Sequence, residues 1–231
     1  MARITRKELK SDKFAQEVGL TVDFFEEHRK DLARYGAIAL AVFVLVAGYM
    51  YYARHQHAVR QEALYAAVEA AETPVGAAQP GGPSFPTQQV KDEQTVKLFT
   101  DLVSKYGGTA EGDIAEYFLG SIRADQGKLA DAEKYLQDAA HKGDDKYASL
   151  AKLSLAQIYF EDGHAGEGEK ALRDLIAHPT IFVSSDQATI ALARQIMAKN
   201  PAEARKLLQP LMSKRGETGQ VTTDLNAQIP Q

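Results

Sequence analysis

The chain of 231 residues contains no cysteine and no tryptophan. Without cysteine it has neither disulfide staples nor thiolate chemistry, and this absence is compatible with an exported, periplasm-like compartment. A surplus of basic charge is also missing: the formal net charge is -4 and the pI about 5.9, so no global basic field exists to draw nucleic acid. Runs of β-branched residues are scarce, while alanine-rich segments recur throughout, which points to helices.

One long apolar run stands out against this background. Tyr35 to Ala53 carries no charge and is closed by Arg34 and Arg54. As a helix it rises about 28 Å, close to the roughly 30 Å hydrocarbon core of a bilayer, so a single transmembrane helix is expected over 35–53. Tyr35 at one end and Tyr49, Tyr51 and Tyr52 at the other suit the membrane–water boundary. The competing reading is the central helix of a globular core. Basic residues set the orientation: Arg3, Arg6, Lys7, Lys10, Lys13, Arg29, Lys30 and Arg34 precede the run, and only Arg54 and Arg60 follow it before Pro74. The N-terminus is therefore expected in the cytoplasm and the rest outside it. A lead of over thirty polar residues and the lack of a small-x-small site favour an uncleaved signal-anchor over a cleaved signal peptide.

Residues 1–34 read as a cytosolic lead. It carries an apolar pair, Phe14 and Val18, one helical turn apart, then a juxtamembrane helix from Thr21 to Arg34 with Val22, Phe25 and Leu32 on one face. Beyond the span no breaker occurs before Thr73-Pro74, so the helix is expected to continue, with Leu64, Ala67, Val68 and Ala71 as the first stripe of an exported domain over 54–215. Pro74 to Pro86 is crowded with proline and glycine and reads as a loop. Seven helices should follow, at about 87–106, 110–126, 129–141, 145–162, 165–177, 184–199 and 201–214. Thr87 is a candidate N-cap, Ser184 to Gln187 has capping-box spacing, and Asn200-Pro201 combines a cap with a first-turn proline. Residues 216–231 have few apolar positions and no cap signal, so a disordered tail is expected there.

These helices repeat with a period of 36 residues. Gly120, Ala156 and Leu192 are in register, as are the small residues Ala132, Gly168 and Ala204, then Leu136, Leu172 and Leu208, then Ala139, Leu175 and Leu211. Gly127 and Gly163 mark the same turn. Each unit is therefore two helices around a short turn. The small residue lets the two backbones approach, and the leucine one turn on fills the layer between neighbouring hairpins.

Leu119-Gly120, Tyr159 three residues after Ala156, and the Ala132–Leu136 and Ala204–Leu208 pairs resemble the tetratricopeptide repeat. Tryptophan is missing, leucine replaces phenylalanine, Gly168 replaces alanine and the period is two residues long. Ala139 to Gly143 is also similar to the related Sel1 type. The resemblance implies an all-α fold, a single transmembrane helix followed by an α-solenoid of helical hairpins. The layout as a whole, with Phe24-Phe25-Glu26-Glu27-His28 before the span and His55-Gln56-His57 after it, resembles the bacterial ancillary subunit of the Sec translocon. That likeness implies an inner-membrane protein whose exported repeats meet the translocon, periplasmic chaperones and emerging chains. By the matching positions, a concave groove would be lined by Ile114, Tyr117, Ser121 and Asp125, then Leu153, Gln157, Phe160 and Glu161, then Thr189, Ile196 and Met197. Leu153, Phe160 and Ile196 could equally pack the solenoid core.

Catalytic readings find little support. His55 and His57 are two positions apart and point to different sides of a helix, with no third ligand. Gly107 to Gly112 lacks the Lys-Ser or Lys-Thr of a phosphate loop, and Asp144-Asp145 and Glu161-Asp162 fall at helix ends. No cofactor, metal or small-molecule substrate is expected. A scaffold or adaptor is the leading reading. A passive subunit of another membrane assembly, such as one of the cell envelope or of cell division, is the rival, and an enzyme comes third.

Overall fold

Proline, glycine and capping side chains decide where each helix starts and stops. The structure, a computed structural model, describes residues 29–76, 82–143, 145–214 and 216–230. The expected helix around Phe14 and most of the juxtamembrane helix lie outside these residues. Among those described there are nine α-helices: α1 (Arg29–Glu72), α2 (Gln88–Tyr106), α3 (Ala110–Asp125), α4 (Leu129–Lys142), α5 (Asp145–Glu161), α6 (Ala165–Ala177), α7 (Ser185–Ile196), α8 (Pro201–Met212) and α9 (Glu217–Gln228).

The expected caps are present. Thr87 Oγ1 accepts from Val90 N–H at 3.3 Å, and Ser184 Oγ accepts from Gln187 N–H at 3.1 Å. Asn200 Oδ1 accepts from Glu203 N–H at 3.3 Å, with Pro201 opening α8. Thr109 caps α3 in the same way, through Gly112 N–H at 3.3 Å. Each cap of this kind stabilises its helix by about 1 kcal/mol. Gly127 and Gly163 turn the chain between the helices of two hairpins at φ +71° and +82°, the left-handed region that side chains with a Cβ avoid.

The chain divides into two compact units, 1–58 and 59–231. In the first, α1 carries the apolar run, and none of its most apolar window is buried. Phe43, Leu45, Tyr49 and Tyr51 are all exposed. This helix is long enough and apolar enough to cross a membrane.

The second unit is built of sequential helical hairpins. At its start, Ala67 at the end of α1 meets Phe99 and Leu102 of α2 and Ala115 and Leu119 of α3. Arg60 Nε donates to the buried Glu111 Oε2 at 2.9 Å, joining α1 to the first turn of α3. The next layer sets Ala132, Leu136 and Ala139 of α4 against Ala151, Leu155 and Ile158 of α5. The last gathers Leu172 and Leu175 of α6, Leu192 and Ile196 of α7, Leu208 of α8, and Leu225 and Ile229 of the C-terminal segment. The 36-residue register is visible in this burial. Leu136, Leu172 and Leu208 are all inaccessible to solvent or nearly so, and so are Ala132 and Ala204. Burying each such leucine stabilises the fold by roughly 1.5–3 kcal/mol.

Within the stretch expected to be a disordered tail, 216–231, Glu217–Gln228 instead forms a helix. Thr222, Leu225 and Ile229 recur at helical spacing and are buried, and Leu225 and Ile229 enter the same core as Leu192 and Leu208. The end is fastened by the Arg205 guanidinium, which donates to Ile229 O at 3.2 Å and Pro230 O at 2.8 Å. Three buried side chains in a polar stretch suffice because the neighbouring helices supply the rest of the apolar surface.

Candidate functional site: a groove across α5, α7 and α9

The first helices of the hairpins, α3, α5 and α7, carry the residues expected to line a groove. Tyr117 on α3 is half-buried, with its ring centroid 5.3 Å from that of Phe118 and 5.7 Å from that of Tyr147 on α5. Phe182, in the turn before α7, stacks edge-on to Tyr147 at 5.3 Å, so aromatic rings link α3, α5 and the α6–α7 turn. Ile114 is half-buried, and the Ser121 hydroxyl donates to Tyr117 O at 3.0 Å. Asp125 is exposed and borders a separate cleft with Lys91 and Asp92 of α2.

Leu153 and Gln157 of α5 line a groove of about 400 Å³. Its other walls come from Ser184, Asp186, Gln187, Ile190, Ala191 and Arg194 at α7 and from Glu217, Thr218 and Val221 of α9. Phe160 packs inward against the core beside Gly168, while Glu161 is exposed at the end of α5. Thr189 is buried, and its hydroxyl donates to Ser185 O at 2.7 Å. Ile196 is a core residue, and Met197, which ends α7, packs against that core. Thr189 and Ile196 thus hold the fold and offer little to a ligand in this groove.

The difference on α7 amounts to about one residue of rotation. Gln157 is exposed, but its counterpart 36 positions on, Ala193, is buried; Ile158 is buried, but its counterpart Arg194 is exposed. One residue turns a helix by about 100°, enough to exchange its inner and outer faces. The cause is the neighbour: α7 shares its core with Leu225 and Ile229, whereas α5 packs between two hairpins. The signal was present in the local stripe Ala188, Leu192, Ala193 and Ile196, with Gln187 and Arg194 opposite it.

The lining combines apolar Leu153, Ile190, Ala191 and Val221 with Gln157, Gln187, Arg194 and Glu217. The side chains of these last four make no hydrogen bond or ion pair among the described residues. A larger depression of about 700 Å³ lies between α7 and α8, but its charges are largely spent on each other. There Arg173 pairs with Glu169 and Glu203, and Asn200 Nδ2 donates to Glu203 Oε2 at 2.6 Å. Polar groups left free beside an apolar floor are what a polypeptide segment needs; groups already paired must be separated before they bind.

Consecutive antiparallel hairpins with a stacked core and an open groove define a helical-repeat protein, an α-solenoid. Residues 23–184 match the tetratricopeptide repeat-like domain, and the chain belongs to that family. The match includes the apolar run of α1 and ends at Ser184, the N-cap of α7, so α7, α8 and α9 lie beyond it. No curated protein and no solved structure matches the chain.

Proposed function

We propose that the chain is a membrane-anchored scaffold that holds another protein through the groove across α5, α7 and α9. The observation that carries this reading is the groove's composition: apolar Leu153, Ile190, Ala191 and Val221 beside Gln157, Gln187, Arg194 and Glu217, whose side chains have no partner among the described residues. Repeats of this family suit protein binding, and α1 supplies a segment able to span a bilayer at 35–53. The protein acts as an adaptor and not as an enzyme. The basic residues before the span and their scarcity after it support an N-terminus in the cytoplasm, and the resemblance noted above supports repeats on the far side of a bacterial inner membrane. The resemblance to the translocon's ancillary subunit makes translocon subunits, periplasmic chaperones or emerging exported chains the partners.

The test is a pull-down from detergent-solubilised membranes with the full chain and with a Gln157→Ala/Val221→Asp variant. Both positions are exposed, so the variant should fold and melt like the parent. Loss of the captured translocon or chaperone components in the variant is the expected result. Unchanged capture would move the binding surface away from the groove.

A further inference from the structure

The groove has a direction. Along α7 it runs from Asp186 to Arg194, about 12 Å at helical rise. At the Asp186 end lies the start of α9: Lys214 Nζ donates to Asp186 Oδ1 at 2.7 Å and to Oδ2 at 2.5 Å, and Glu217 follows three residues later. Lys214 neutralises one of the two carboxylates there, leaving Glu217, which has no ion-pair partner among the described residues. Ser184 Oγ already accepts Gln187 N–H, so this end offers carboxylate acceptors more than free amide donors. At the other end stands the guanidinium of Arg194, without a partner among the described residues, with Ile190, Ala191 and Val221 also lining the groove.

We infer that the occupant is a short polypeptide segment carrying a basic side chain at the Glu217 end, a carboxylate at the Arg194 end and apolar residues between. The inference rests on the groove being the protein-binding surface, and it specifies the chemistry of what binds. A span of about 12 Å is roughly four steps of extended chain, so the two charged positions are four apart, with three residues between them, and point to the same side. Complementary charges at both ends fix the register of the bound segment and disfavour partners of a single sign.

The test uses the full chain in detergent micelles and four fluorescently labelled pentapeptides with blocked termini and a shared leucine–alanine–leucine centre. One has lysine first and glutamate last, one lysine at both ends, one glutamate at both ends and one serine at both ends. The mixed-charge peptide should bind about fivefold more tightly than the serine-ended one, the scale of two exposed ion pairs, and the single-sign peptides no more tightly than the serine-ended one. In Arg194→Glu the lysine-ended peptide should become the tightest, and in Glu217→Lys the glutamate-ended peptide should. If all four bind alike and both variants keep that order, the groove binds peptide without this polarity and the inference is overturned. If none binds, the groove reading itself falls with it. Self-association of the chain that Arg194→Glu abolishes would also overturn the inference, by making a second copy the occupant.

Discussion

Phe160 occupies the space that a side chain at Gly168 would need. A Cβ built on Gly168 would lie 2.8 Å from both Cδ2 and Cε2 of Phe160 and 2.9 Å from the Ala156 carbonyl oxygen. In the preceding hairpin the corresponding pair is Ala124 with Ala132, and in the following one Ile196 with Ala204. The largest side chain of the three therefore faces the only glycine. In the first hairpin the close approach is made from the other helix, where a Cβ on Gly120 would meet Leu136 Cγ at 2.7 Å. Gly168→Ala should destabilise the repeats by up to about 2 kcal/mol, an overpacking cost of roughly 1–3 kcal/mol less the gain of about 1 kcal/mol from alanine's helix propensity. In a Phe160→Ala background that cost should shrink, a coupling that urea denaturation of the four chains of a double-mutant cycle would measure.

Leu136→Ala and Leu172→Ala remove fully buried side chains from the layers between helices. Each should cost roughly 2–5 kcal/mol through the cavity left behind. Gln157→Ala and Glu161→Ala, both exposed, should each change stability by less than about 0.5 kcal/mol. Thermal melts of the four variants separate the two classes.

Asp113 and Glu116 are buried on α3, and one carboxylate oxygen of each, Asp113 Oδ1 and Glu116 Oε2, lacks a hydrogen-bond partner among the described residues. Burial pushes both carboxyl groups above their usual range, and Lys142 pulls each part of the way back. Asp138 and Asp113 add to the rise at Glu116. A group that titrates higher in the folded state takes up protons on folding, so its ionisation costs stability, increasingly as pH rises through the carboxylate range and fully above the folded-state value. Glu116→Gln should therefore raise the melting temperature at pH 7, by about 2–4 °C for each kcal/mol recovered. Its advantage should shrink as pH falls from the raised folded-state value into the ordinary carboxylate range, and vanish below that range, where glutamate is protonated in both states. Melts of the two chains between pH 4 and pH 7 would show this convergence.

Much of the fold is legible in the residues. The 36-residue register, the caps at Thr87, Ser184 and Asn200 and the turns at Gly127 and Gly163 are local signals, and the structure carries each of them. The features that were not legible depend on distant neighbours. In α9, Leu225 and Ile229 look like stray apolar residues until Leu192 and Leu208 lie beside them. On α7, extending the repeat from Leu153, Phe160 and Glu161 selects Thr189, Ile196 and Met197, yet Ile190 and Arg194 line the groove beside α9.

Helix α9 closes one side of that groove while its own attachment depends on few contacts. Leu225→Ala should loosen α9 and cost about 2–4 kcal/mol. Hydrogen exchange should then rise in 217–228 more than in α4 and α5, and capture of the partner should weaken because Glu217, Thr218 and Val221 no longer form a wall.

Site-specific photocrosslinking in native membranes tests most directly whether the groove holds a partner protein. A benzoylphenylalanine is placed in turn at Gln157 and Val221, which border the groove, and at Lys134 and Lys170, exposed positions on the second helices α4 and α6. Illumination should yield a discrete adduct with one or a few membrane or exported proteins from Gln157 and Val221, and little from Lys134 and Lys170. Adducts arising from Lys134 or Lys170, with none from Gln157 or Val221, would contradict the assignment and place the working surface on the second helices of the hairpins.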